Sequence, residues 1–88
     1  MDEGEYGMIK LYTGTNCLAC KALKKRLVKL KLTNYIECDT AEEEHRDTIM
    51  ALGFRSIPVL TRYEYDNYVD SIGGNVHSDA AYVEFFKE

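Results

Sequence analysis

Cys17 and Cys20, three residues apart, are the side chains in this sequence best suited to covalent chemistry. A C-x-x-C pair can ligate zinc, supply half of a cluster site, or cycle between dithiol and disulfide. Context decides among these, so the elements that carry the pair matter more than the motif. Cys38, His45 and His77 are the remaining cysteine and histidines. Cys17, Cys20, Cys38 and His45 would make a Cys₃His zinc set, with the pair spacing that zinc sites use.

The segment before the pair, Met8-Ile9-Lys10-Leu11-Tyr12, reads as a strand that ends in turn chemistry at Thr13-Gly14-Thr15-Asn16. From Cys17 onward the period changes. Cys20, Leu23, Leu27 and Leu30 recur at helical spacing and form one apolar stripe. Thr15 or Asn16 is the expected cap of this helix. Cysteines at a strand-to-helix turn inside a βαβ pattern have the placement of a redox dithiol. Unpaired amides and the macrodipole at a helix start favour a negative charge. The Cys17 thiol is therefore expected to ionise below the roughly 8.5 of a free cysteine, with Lys21 one turn on acting in the same direction. Cys20 belongs to the inward stripe. Cys17 is thus the candidate nucleophile and Cys20 the shielded resolving thiol.

Further along, Asn34 to Cys38 is a second strand candidate. Thr40-Ala41-Glu42-Glu43 matches a capping box, with Thr40 at the cap. Its helix turns Ile49 and Leu52 inward and stops at Gly53. Ile57 to Thr61 reads as a third strand, Tyr63 to Asp66 as a hairpin region and Tyr68 to Ile72 as a fourth strand. Gly73-Gly74 breaks the chain before a last helix starting near Asn75 or Ser78. The order β-α-β-α-β-β-α implies an α/β fold, a four-stranded mixed sheet flanked by three helices. Residues 1–7 read as a flexible acidic tail and 8–88 as one domain.

Eighty-eight residues support one modest core. A formal net charge of −4 argues against nucleic acid as a partner. No apolar run approaches the ~20 residues that cross a bilayer, and the acidic start Asp2-Glu3-Gly4-Glu5 is unlike a secretory signal. A cytoplasmic, monomeric protein is expected. Lys21, Lys24, Lys25, Arg26, Lys29 and Lys31 crowd one segment, and Glu37, Asp39, Glu42, Glu43, Glu44 and Asp47 the next. Solvated helix faces explain this pattern, and so would a basic patch that steers an anionic partner.

Three segments together, Tyr12 to Cys20, Arg55-Ser56-Ile57-Pro58 and Ile72-Gly73-Gly74, resemble the glutaredoxin family within the thioredoxin fold. The likeness spans nearly the whole chain. It implies a thiol–disulfide oxidoreductase that reduces protein disulfides by dithiol exchange through Cys17 and Cys20, with no bound cofactor or metal. It also implies a cis Ile57–Pro58 peptide packed against the cysteine pair. Substrate-binding positions would be Tyr12, Arg55, Ser56, Ile57, Pro58, Gly74, Asn75 and Val76. Tyr12 would wall the groove, and helix-start amides near Asn75 and Val76 would receive a carboxylate.

Three departures bear on the electron donor. Gly14 stands where many glutaredoxins have a lysine for a glutathione carboxylate. His77 stands where an aspartate usually follows the double glycine. Leu18-Ala19 replaces the common Pro-Tyr between the cysteines. These changes, with Met50 to Phe54, make the chain similar to the small redoxins that serve ribonucleotide reductase and draw electrons from thioredoxin reductase. Glutathione as co-substrate and thioredoxin reductase as donor both follow from the resemblance. Cys38 reads as a core residue, His45 as half-buried and structural, and His77 as a helix-start surface residue. A non-catalytic interaction module on the same fold is the alternative from a different class.

Overall fold

The computed structural model describes residues 7–87. Four strands and three helices follow the expected order: β1 (Gly7–Thr13), α1 (Leu18–Lys29), β2 (Ile36–Asp39), α2 (Glu43–Ala51), β3 (Val59–Glu64), β4 (Asn67–Gly73) and α3 (Asp79–Phe86). The sheet runs β2-β1-β3-β4. β1 pairs parallel with β2, as a crossover through α1 requires, and antiparallel with β3. β3 and β4 form a hairpin, also antiparallel.

Side-chain alternation along β1 divides the core in two. Ile9 and Leu11 face the layer of α1 and α3, where they meet Leu23, Leu27, Leu60, Tyr82 and Phe85. Tyr12 points to the other face and packs with Cys38, Ile49 and Val59 beneath α2. The period of two that separates Leu11 from Tyr12 is the ordinary pleat of a strand. Leu23, Leu27 and Leu60 are fully buried, each contributing about 1.5–3 kcal/mol of transfer free energy.

Several boundaries differ from the sequence expectation, each for a local reason. Gly7, assigned to the tail, is the first residue of β1 and lies opposite Glu64; the rest of that tail lies outside the described residues. β2 begins at Ile36, because the Tyr35 amide donates to Thr33 O in a turn of its own, and it continues to Asp39 opposite Thr13. Neither Thr15 nor Asn16 caps α1; Cys17 does. Thr40 does not cap α2 either. Its hydroxyl and its amide both donate to Thr13 O at 2.8 Å, so it is tied to the end of β1. Glu42 takes the cap position without a side-chain bond, and Glu43 and Glu44 supply the negative charge that a helix start favours. Gly53, at φ +94°, ends the helix as expected. The hairpin turn places Tyr65 and Asp66 both at positive φ, as a two-residue connection between twisted strands demands. The last helix is capped by Ser78, whose hydroxyl accepts from the Ala81 amide.

Candidate functional site

Cys17 and Cys20 are joined in a disulfide at the start of α1. Cys17 occupies the cap position with extended backbone, and its Sγ accepts from the Cys20 amide at 3.1 Å. The sulfur therefore sits where a serine or aspartate usually caps a helix, facing donors that a thiolate would satisfy. Burial separates the two sulfurs. Cys20 is 2% exposed and part of the core, whereas Cys17 is half-buried at the surface. Leu18, between them, is 80% exposed.

The segment before β3 closes one side of the pair. The Ile57–Pro58 peptide bond is cis, and Cys17 Sγ lies 4.0 Å from Ile57 O. Pro58 is buried, and its carbonyl accepts from the Gly74 amide at 2.7 Å, which fastens the Gly-Gly turn to the same end of the sheet. From Ile57 a groove of about 650 Å³ runs along the C-terminal half of α2. Ile49, Met50, Phe54 and Ile57 give it an apolar lining, and Arg46, Arg55 and Ser56 its polar groups.

Of the sequence-predicted positions, Cys17, Cys20, Ile57, Pro58 and Gly74 come together at this end of the sheet. Arg55 and Ser56 are exposed beside them in the groove. Three others differ from expectation. Tyr12 does not wall the groove: it is 2% exposed, held in the α2-side core and set edge-on to His45 at 5.9 Å. Burial, with Tyr63 nearby, pushes its phenol well above the usual tyrosine range. Asn75 and Val76 offer no helix-start amides, because α3 begins only at Asp79. Asn75 instead turns its side-chain oxygen to Arg26 Nη1 at 3.1 Å, and Val76 stands 84% exposed.

Among the described residues, no group of three or more His, Cys, Asp or Glu side chains could hold a metal ion. The zinc set of Cys17, Cys20, Cys38 and His45 is not assembled. Cys38 is free and buried beneath α2, where desolvation pushes its thiol up. His45 packs on Tyr12, and His77 contacts Gly73 O and the Tyr82 ring, so neither stands at the disulfide as a base. Sequence reasoning missed Arg26, which binds Asn75 and the His77 carbonyl in the loop after the Gly-Gly turn and Asp79 at the start of α3. Its signal was available: it is the one arginine in an otherwise lysine-only run.

The chain is 32% identical over 59 residues to the glutaredoxin-like protein NrdH of Lactococcus lactis subsp. cremoris (strain MG1363), covering 66% of this chain and 81% of that protein. The protein of the same name from Lactococcus lactis subsp. lactis (strain IL1403) is 30% identical over an equal span. The chain belongs to the glutaredoxin-like proteins. No family model matches the sequence. Among solved structures, oxidised mitochondrial thioredoxin 3 from Saccharomyces cerevisiae superposes with TM-score 0.71 at 17% identity, covering 93% of this chain and 77% of that one. Spinach chloroplast thioredoxin f gives 0.70 at 18% identity, covering 94% and 75%. The fold of this glutaredoxin-like chain is thus thioredoxin-like. Family, fold and the Cys17–Cys20 disulfide together make it a thiol–disulfide oxidoreductase.

No helix among the described residues is long and apolar enough to cross a membrane.

Proposed function

We propose that this glutaredoxin-like protein reduces disulfides in protein substrates by dithiol exchange, with Cys17 as nucleophile and Cys20 as resolving thiol. The observation that carries this reading is the Cys17 sulfur at the cap of α1. It is half-buried, within 3.1 Å of the Cys20 amide and 4.0 Å from Ile57 O. In the reduced protein, the Cys17 thiolate attacks one sulfur of a substrate disulfide. A mixed disulfide forms and the other substrate sulfur leaves as a thiolate, which takes a proton. Cys20, deprotonated, then attacks Cys17 Sγ and expels the second substrate sulfur. Two electrons pass to the substrate, and the protein is left in the Cys17–Cys20 disulfide form described here. A dithiol reductant returns it to the start.

Substrate backbone would lie against the Ile57–Pro58 segment, with Arg55 and Ser56 on one side and Gly74 and the exposed Val76 on the other. The chemistry calls for a disulfide in an accessible loop or tail. Ribonucleotide reductase, which is regenerated by such an exchange in the redoxins this chain resembles, is the proposed partner.

Thioredoxin reductase is the electron donor favoured here. Gly14 is overlaid by Ile57, so the spot that holds a carboxylate-binding lysine in many glutaredoxins is filled by a methyl group. One observation favours glutathione instead. Arg46 and Arg55 flank an apolar groove beside the disulfide and could receive a glutathione carboxylate. A recycling assay with thioredoxin reductase and NADPH, run beside one with glutathione, glutathione reductase and NADPH, tests the choice. Faster turnover with the first supports the proposed donor, and faster turnover with the second replaces it with glutathione. A protein that turns over with neither, nor with dithiothreitol, is not the reductase proposed.

A further inference from the structure

Arg26 lies on α1 among lysines, yet its side chain is only 25% exposed. Nε donates to Asp79 Oδ1 at 2.7 Å and Nη1 to Asn75 Oδ1 at 3.1 Å. Nη2 donates to the backbone carbonyl of His77. The plane also stacks over the Tyr82 ring, 4.8 Å from its centroid. One side chain thus ties α1 to two residues of the connection between β4 and α3 and to the first residue of α3. Asp79 lies at the start of α3, and Asn75 and His77 lie in the loop that leads to it.

The contacts continue toward the disulfide. The Tyr82 hydroxyl donates to Gly74 O at 2.7 Å, and His77 Nε2 lies 3.0 Å from Gly73 O, with its ring edge-on to Tyr82. Gly74 has φ +81°, and its amide reaches Pro58 O. A chain of contacts therefore runs from Arg26 through Tyr82 and Gly74 to the proline beside Cys17. α1 reaches both walls of the site: it starts at the cysteine pair and, two turns on, holds the loop that follows the Gly-Gly turn.

We propose that Arg26 is a positioning residue for disulfide exchange, fixing the Gly-Gly turn and, through it, the Pro58 segment on which a protein substrate lies. The proposal rests on the reading of the Pro58–Gly74 end as the substrate wall. A lysine keeps the charge but cannot present three donors in a planar fork, so Arg26→Lys should not substitute. Tyr82→Phe keeps the buried ring and removes only the hydroxyl bond to Gly74. Neither variant touches Cys17.

The test compares wild type, Arg26→Lys and Tyr82→Phe with dithiothreitol as reductant, using insulin as the protein disulfide and bis(2-hydroxyethyl) disulfide as the small one. Each variant should raise KM for insulin about tenfold with kcat little changed, and should reduce the small disulfide at the wild-type rate. Equal losses on both substrates, or no loss on insulin, overturn the proposal. Amide hydrogen exchange supplies a readout independent of turnover. The Gly74 amide should exchange about tenfold faster in both variants while the Leu27 amide is unchanged. If wild type reduces neither disulfide, the oxidoreductase reading fails on its own, and exchange at Gly74 still decides whether Arg26 positions the turn. Unchanged Gly74 exchange overturns it.

Discussion

Ile57 lies so close over Gly14 that a Cβ on residue 14 would stand 2.5 Å from Ile57 Cδ1 and 3.3 Å from Thr40 Oγ1. The contact joins the turn before the cysteine pair to the segment before the proline, so it fixes the two sides of the site relative to each other. It also gives Gly14 a steric reason. Any side chain there must displace Ile57, the residue whose carbonyl faces Cys17.

Gly14→Ala should accordingly destabilise the protein by about 1–3 kcal/mol, the usual cost of overpacking. Ile57→Val removes the Cδ1 atom that the new methyl would meet. The double variant should therefore recover part of the loss, and a denaturant-unfolding cycle should give a favourable coupling between the two changes. Additive effects would mean that Ile57 swings clear of residue 14 without cost.

The roles assigned to the two sulfurs predict different failures. Cys17→Ser should abolish disulfide reduction, since the other described cysteines, Cys20 and Cys38, are buried. Cys20→Ser keeps the nucleophile and removes the resolving step, so a substrate disulfide should become trapped on Cys17. Mass spectrometry after incubation with an oxidised peptide reads this directly. Trapping on residue 20 in Cys17→Ser, with retained turnover, would reverse the two roles.

Much of this arrangement was legible in the sequence. The helical stripe Cys20-Leu23-Leu27 is buried as its period requires, and Cys20 is inside for that reason. Caps were less legible. Thr40 reads as a capping-box residue only if nothing distant competes, and the Thr13 carbonyl takes its hydroxyl instead. Cys17 as a cap escapes any list of oxygen-bearing cap residues, although its sulfur occupies the same place. Tyr12 illustrates parity without a frame. Alternation put it opposite Leu11, but only the position of α2 shows that this face is core and not groove. Arg26 depends on residues about 50 positions away, a separation that no local pattern encodes.

The boundary between β1 and β2 carries a pH-dependent contribution. Glu37 accepts from Lys24 Nζ at 2.9 Å and from the Thr13 hydroxyl at 2.8 Å. The Lys24 bond, then the Thr13 bond, holds its carboxyl below the ordinary glutamate value of 4.5. Because the folded value is depressed, this stabilisation is present above the ordinary value and is lost as pH falls through the folded one. Glu37 and Lys24 are both more than a third exposed, so solvent screening keeps the effect near 0.2–1 kcal/mol. Glu37→Gln should lower stability by about that amount at neutral pH, and the gap should close as pH falls from neutral through the lowered carboxyl value. Urea midpoints across that range, at low and high salt, measure it. A gap that persists in acid would assign the effect to packing.

Cys38 provides the internal contrast to Cys17. It is 4% exposed beneath α2, and burial is the main cause of its raised thiol pKa. Glu42, Glu37 and Glu44 act in the same direction, and Lys10 opposes them. Thiols react with alkylating agents as thiolates, so the two environments should separate the cysteines kinetically. After reduction of the disulfide, iodoacetamide should label Cys17 first and Cys20 slowly. Cys38 should react only when denaturant opens the core. Peptide mapping of the native and denatured reactions reads each site. Labelling of Cys38 at the Cys17 rate in the native protein would show that the α2 layer opens readily, and the core assignment beneath it would have to be withdrawn.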